Sequence, residues 1–216
     1  MQHKAQQDKT TEIKALIFDV GGVLFLSKKT ESSLLTSYKE LCLLLEGIDI
    51  PAEDFYDQTI DIYMKSSKGD ITKKKTLDMI SKIAHCSPKN IEDIFEKAAK
   101  NNVIENKELI NSMRKLKGYK LGIISIQWPL TSDILLPKRY YDIFDSLVIS
   151  CFDKVRKPDP QAFTLALKRL NVKAEQAIFV DDNKENLPPA QNLGMKTIHF
   201  KNNKKFFAEL KRLGVK

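Results

Sequence analysis

Five short runs of the chain are almost continuously apolar and rich in β-branched or aromatic residues: 15–20, 121–125, 147–150, 177–181 and 197–200. Runs of that length without polar alternation predict strands buried on both faces, as in a parallel sheet. Between the later runs, apolar positions recur at helical spacing. Residues 161–170 (QAFTLALKRL) carry a clear stripe, and 185–193 and 205–213 behave similarly. Gly194 follows the last periodic residue of its segment, where a helix C-terminal cap belongs. Strands alternating with helices predict a doubly wound α/β sandwich, a parallel sheet covered on both faces.

The interval between the first two strands is about 100 residues, far more than a simple crossover needs. It reads as several helices, at 32–46, 51–65, 72–84 and 88–100, followed by 106–116, which leads through Gly118 into the second strand. Ser87 as N-cap and Pro88 at the first helical position give the fourth a strong start signal. The expected division is a sheet-forming core at 14–27 and 106–216, a helical insertion at 28–105, and a polar tail at 1–13.

Composition narrows the class. A chain of 216 residues with 42% hydrophobic and 30% charged residues can bury a sizeable core without staples. Its three cysteines, Cys42, Cys86 and Cys151, are scattered, which suits a reducing, cytoplasmic setting. The tail lacks the apolar stretch of a secretory signal, and no run approaches the ~20 apolar residues of a membrane span, so no membrane partner is expected. A net charge of +8 raises the question of nucleic acid. The lysines are spread out, however, from Lys28–Lys29 through Lys73–Lys75 to Lys204–Lys205 and Lys211, with no arginine-rich tract and no aromatic interleaving. A solvated basic surface that draws in small anions is the expectation.

In open parallel sheets, ligands bind beyond the carboxyl ends of the strands, so the residues there belong together. The first run ends on Asp19, the second on Ser125 and the fourth on Asp181–Asp182, while Lys157 sits in the loop after the third. Carboxylates that converge from separate strands suit a hard cation such as Mg²⁺, which usually keeps waters and a substrate phosphate. A serine and a lysine beside them suit phosphate oxygens.

These residues resemble the haloacid dehalogenase superfamily of aspartate-nucleophile hydrolases. Asp19 in FDVGGVL is similar to its first motif, Ser125 in LGIIS to the second, Lys157 in RKPDP to the third and Asp181–Asp182 in FVDDN to the fourth. NLGMKTIHF also resembles the stretch that follows the fourth motif. The inserted helices stand where the family's C1-type cap stands, closest to the branch containing the phosphatase domain of epoxide hydrolase. The resemblance implies a Rossmann-like, three-layer core with a helical cap, and a Mg²⁺-dependent phosphohydrolase acting on a small phosphorylated metabolite. It implies Asp19 as nucleophile, Ser125 and Lys157 as phosphate-binding catalytic residues, and Asp19, the Gly21 carbonyl, Asp182 and more distantly Asp181 around the metal.

Two positions depart from that pattern. The usual acid/base aspartate two residues after the nucleophile is Gly21 here, and the usual asparagine after the serine is Ile126. The first departure bears on protonation of the leaving group, the second on contacts beside the nucleophile. They leave two alternatives: a binding or regulatory protein that kept the fold and lost turnover, or a metal-free 2-haloacid dehalogenase, which Gly21 and the paired acids oppose. Oligomeric state is not legible. His85 and His199 carry no metal-ligand pattern, and Trp128 suits either the cleft or the core.

Overall fold

The computed structural model describes residues 12–28 and 38–215. Lys29, most of the tail and the first part of the helix expected at 32–46 lie outside the described residues. In chain order the elements are β1 (Ala15–Phe18), β2 (Phe25–Ser27), α1 (Tyr38–Cys42), α2 (Ala52–Ser67), α3 (Lys73–Ile83), α4 (Pro88–Asn102), β3 (Val103–Glu105) and α5 (Lys107–Met113). They continue as β4 (Lys120–Ser125), α6 (Ser132–Leu135), β5 (Ser146–Ile149), α7 (Ser150–Asp153), α8 (Pro160–Leu170), β6 (Ala177–Asp181), α9 (Leu187–Asn192), β7 (Lys196–His199) and α10 (Asn203–Arg212).

Five strands form one parallel sheet in the order β5-β4-β1-β6-β7. Alternate residues of β1, β4, β5 and β6 feed two separate cores. Leu16, Phe18, Leu121, Ile123, Ile178 and Val180 face one side with Ile110 and Phe206 of α5 and α10. Ala15, Ile17, Ile124 and Phe179 face the other with Phe163, Ala166 and Ala190 of α8 and α9. Burial on both faces is why the runs show no polar alternation.

The helix ends follow their sequence signals. Ser87 accepts a hydrogen bond from the Asn90 amide at 3.1 Å with Pro88 inside the first turn, and Gly194 takes φ +96° just after α9. Other boundaries differ from expectation. The described part of the helix expected to reach residue 46 ends at Cys42, α5 stops at Met113, and the segment expected as helical from 185 begins as a 3₁₀ turn at Lys184–Asn186.

Helices α1–α4 gather a third core around Tyr38, Phe55, Ile80, Ile91 and Phe95. Trp128 and Leu130, from the segment after β4, enter that same cluster and join the helical layer to the sheet. A two-stranded antiparallel pair that the pattern did not reveal, β2 with β3, brackets the helices. At the far end of the layer Gly69, at φ +77°, lies against the Cys151 carbonyl; a Cβ there would sit 2.5 Å from that oxygen.

Candidate active site

From β1 the chain moves outward through β4 to β5, then returns across β1 to β6 and β7. The order reverses at β1, and the crevice beyond the carboxyl end of that strand is where a doubly wound sheet binds its ligand. Asp19 is the first residue past β1. Ser125 closes β4, Asp181 closes β6 and Asp182 follows it.

Lys157 joins these strand ends. Its Nζ lies 2.8 Å from Asp19 Oδ1 and 2.6 Å from Asp181 Oδ2, with the side chain only 1% exposed. The Phe179 ring lies 5.5 Å below the ammonium. Burial alone would lower the pKa of this lysine, but Asp181 and Asp19 outweigh it and hold the value above the ordinary one. Asp19 responds in the opposite sense. Burial raises its pKa, Lys157 opposes, and Asp181 and Asp182 add to the rise, which leaves about 7.

Asp181, fully buried, also accepts from the Asn183 amide at 2.8 Å and from Asn186 Nδ2 at 3.0 and 3.2 Å. Its oxygens are therefore engaged by protein donors. Asp182 is half-buried and faces the cavity, and its carbonyl meets His199 Nε2 at 2.9 Å. Candidate ligand oxygens of Asp19, Asp181 and Asp182 all lie within 4.8 Å of one another. Three carboxylates against one lysine leave excess negative charge in a confined space, and an all-oxygen set of this kind fits a hard divalent cation.

Ser125 is buried, and its Oγ accepts from Gln127 Nε2 at 3.0 Å. Gln127 is held in turn, since its amide donates to Ser150 Oγ and its carbonyl accepts from that hydroxyl. The loop turns tightly past Asp19, and Gly22 rather than Gly21 takes the positive φ, at 72°. Asp19, Gly21, Ser125, Lys157, Asp182 and Asn186 line one cavity of about 120 Å³, which continues toward Tyr38 and Tyr63 of the helical layer.

The sequence model for haloacid dehalogenase-like hydrolases matches residues 13–194. The chain belongs to that family. Among its relatives is the glyceraldehyde 3-phosphate phosphatase of Pyrococcus furiosus, 42% identical over 98 residues, which are 44% of this chain and 40% of that protein. The chain thus matches less than half the length of that relative. The sesquiterpene phosphatase astK of Aspergillus oryzae is 27% identical over 94% of this chain and 97% of its own length. Among solved structures, a magnesium complex of a HAD family enzyme from Bacteroides thetaiotaomicron superposes with a TM-score of 0.74 at 21% identity, covering 93% of this chain and all of that one. That likeness establishes the fold.

Within this member of the family, the structure brings Asp19, Gly21, Ser125, Lys157, Asp181 and Asp182 to one rim. Pattern reading passed over Gln127, Asn186, Arg156 and Tyr63. Asn186 has a faint signal, an amide five residues after a buried aspartate in DDNKEN. Gln127 has another: with Ile126 in the position usual for asparagine, the next side chain supplies the amide beside the serine. Tyr63 comes from α2 and lies beside Arg156, whose charge opposes the rise that burial imposes on the Tyr63 pKa. Nothing local to either residue announces that pairing.

Proposed function

We propose that this protein is a Mg²⁺-dependent phosphatase that transfers the phosphoryl group of a small monoester to Asp19 and then to water. The observation that carries this reading is the convergence of three carboxylates and a buried lysine at the sheet's reversal point. Asp19 and Asp182, with the Gly21 carbonyl, are the groups that would hold the cation; Asp181, occupied by Lys157, Asn183 and Asn186, orients its neighbours. The bound cation supplies Lewis-acid stabilisation of charge on the phosphoryl oxygens.

The chain's own residues do the rest. Lys157 binds one oxygen of Asp19 and aims the other at phosphorus. As Asp19 forms its bond to phosphorus, the bond to the leaving oxygen breaks and an aspartyl-phosphate results. Water then attacks phosphorus, releases inorganic phosphate and restores the carboxylate. Ser125 accepts from Gln127, so its own O–H is available to donate to a phosphoryl oxygen, while Lys157 offsets the charge that develops there. Helices α1–α4 act as the cap, with Tyr38 and Tyr63 closing the cavity opposite the rim and excluding water.

The excess of carboxylates separates this reading from a metal-free dehalogenase, which has no use for a third acid. The experiment is phosphate release from a panel of phosphorylated metabolites, with Mg²⁺ and with a chelator. Turnover of at least one ester, lost with the chelator, is expected. No release from any ester would favour a binding protein on the same fold.

A further inference from the structure

Resting on the phosphatase reading, we infer that the leaving group of the substrate is an apolar alcohol rather than a polyol. Away from the charged rim, the described cavity wall is mainly apolar, with Tyr38, Leu41, Tyr63, Val103, Trp128 and Leu135, and Thr131 adds one hydroxyl. It is preorganised: the Tyr38 and Tyr63 rings stack at 4.3 Å and 4°, and Trp128 stands edge-on to both at 5.3 Å. A wall fixed in this way needs no reordering to receive an apolar body.

Polar atoms beside that wall are in part already engaged by the protein. The Tyr38 hydroxyl donates to Thr59 Oγ1 at 2.8 Å, and the Gln127 side-chain amide donates to Ser125 Oγ at 3.0 Å. The Tyr38 hydroxyl is therefore engaged within the helical layer. Outside the rim carboxylates and Lys157, Arg156 is the one charged residue among the described lining residues, and a guanidinium donates hydrogen bonds without accepting them. A sugar brings several hydroxyls that need acceptors as well as donors, and each one left unpaired on burial is costly. Two buried donors, Trp128 Nε1 and Arg156 Nε, lack an acceptor among the described residues. They suit a single oxygen on an otherwise apolar body, not a ring of hydroxyls.

The test compares kcat/KM of the Mg²⁺-loaded full chain for hexyl phosphate and glucose 6-phosphate. Both are primary alkyl monoesters of six-carbon alcohols, so the bond broken is alike. Hexyl phosphate should be better by about tenfold or more, the worth of burying about two methylenes. Leu135→Gln, at a partly buried position, should lower that ratio by about fivefold by placing an amide in the wall, while inhibition by inorganic phosphate stays unchanged. An equal or better rate with glucose 6-phosphate overturns the inference, as does an unaltered ratio in folded Leu135→Gln. If neither ester turns over, the wider panel of phosphorylated metabolites decides the phosphatase reading separately. Calorimetric titration of the same inert protein with the two esters then reads the preference directly, with tighter hexyl phosphate supporting it and equal or weaker binding overturning it.

Discussion

A lysine with 2% of its surface exposed is costly to desolvate, and Lys157 is accommodated because Asp19 and Asp181 meet it at 2.8 and 2.6 Å. Removing it would strand two carboxylates in the interior. Lys157→Met should therefore destabilise the metal-free protein by about 3–5 kcal/mol, the usual effect of breaking a buried pair from one side. Urea unfolding reads this, and a loss under about 1 kcal/mol, the range of an exposed pair, would contradict it. Gly21 poses a different question. It lies on the cavity wall where a carboxyl could protonate a leaving oxygen, and its φ is not in the positive region, unlike that of Gly22. Gly21→Asp should fold and raise alkyl over aryl phosphate turnover by up to the ~10²–10⁴ that a placed acid contributes. An unchanged ratio in the folded variant would mean that protonation comes from elsewhere. Asp19, Ser125, Lys157, Asp181 and Asp182 were legible because each stands at or just beyond the end of an apolar run, or in the loop after one. Gln127, Asn186 and Tyr63 were not, because loops and a distant helix deliver them through tertiary packing.

The elements themselves were legible in proportion to their length and their punctuation. Helix α4, with Ser87 and Pro88 at its start, and the five core strands stood out in the pattern. The β2–β3 pair did not, because strands of three residues carry no period to read. Helix α9 begins late because Asn183 caps the 3₁₀ turn first, accepting from the Glu185 amide at 3.0 Å. How the helical layer seats on the sheet is a matter of close approach at Gly69. A methyl there would meet the Cys151 carbonyl at 2.5 Å on backbone already at positive φ. Gly69→Ala should loosen that seat while sparing the sheet. Hydrogen exchange should show faster exchange in α2 and α3 with protection of β1, β4 and β6 retained. Unchanged exchange in the helices would mean the contact does not hold the layer in place.

Across the whole molecule, an excess of buried negative charge should couple metal binding to stability. Ligand that binds only the folded chain stabilises by mass action, about 2.7 kcal/mol at one hundred times Kd. For a chain of this size, that is a rise of roughly 5–10 °C in Tm on adding Mg²⁺. Asp182→Ala should abolish most of the rise. Asp181→Ala should instead lower the starting Tm, because it releases Lys157 and Asn186. Equal Mg²⁺ shifts in the Asp182→Ala and wild-type proteins would remove Asp182 from the ligand set.

In the proposed reaction, Asp19 itself carries the phosphoryl group. Acid-quenching the Mg²⁺-loaded protein during turnover of the best ester, followed by peptide mass analysis, tests it most directly. The peptide containing Asp19 should gain one phosphoryl group on that residue, and Asp19→Asn should neither gain it nor release phosphate. An Asp19→Asn protein that releases phosphate at the wild-type rate, or a wild-type phosphoryl adduct on any other residue, would rule out Asp19 as the nucleophile.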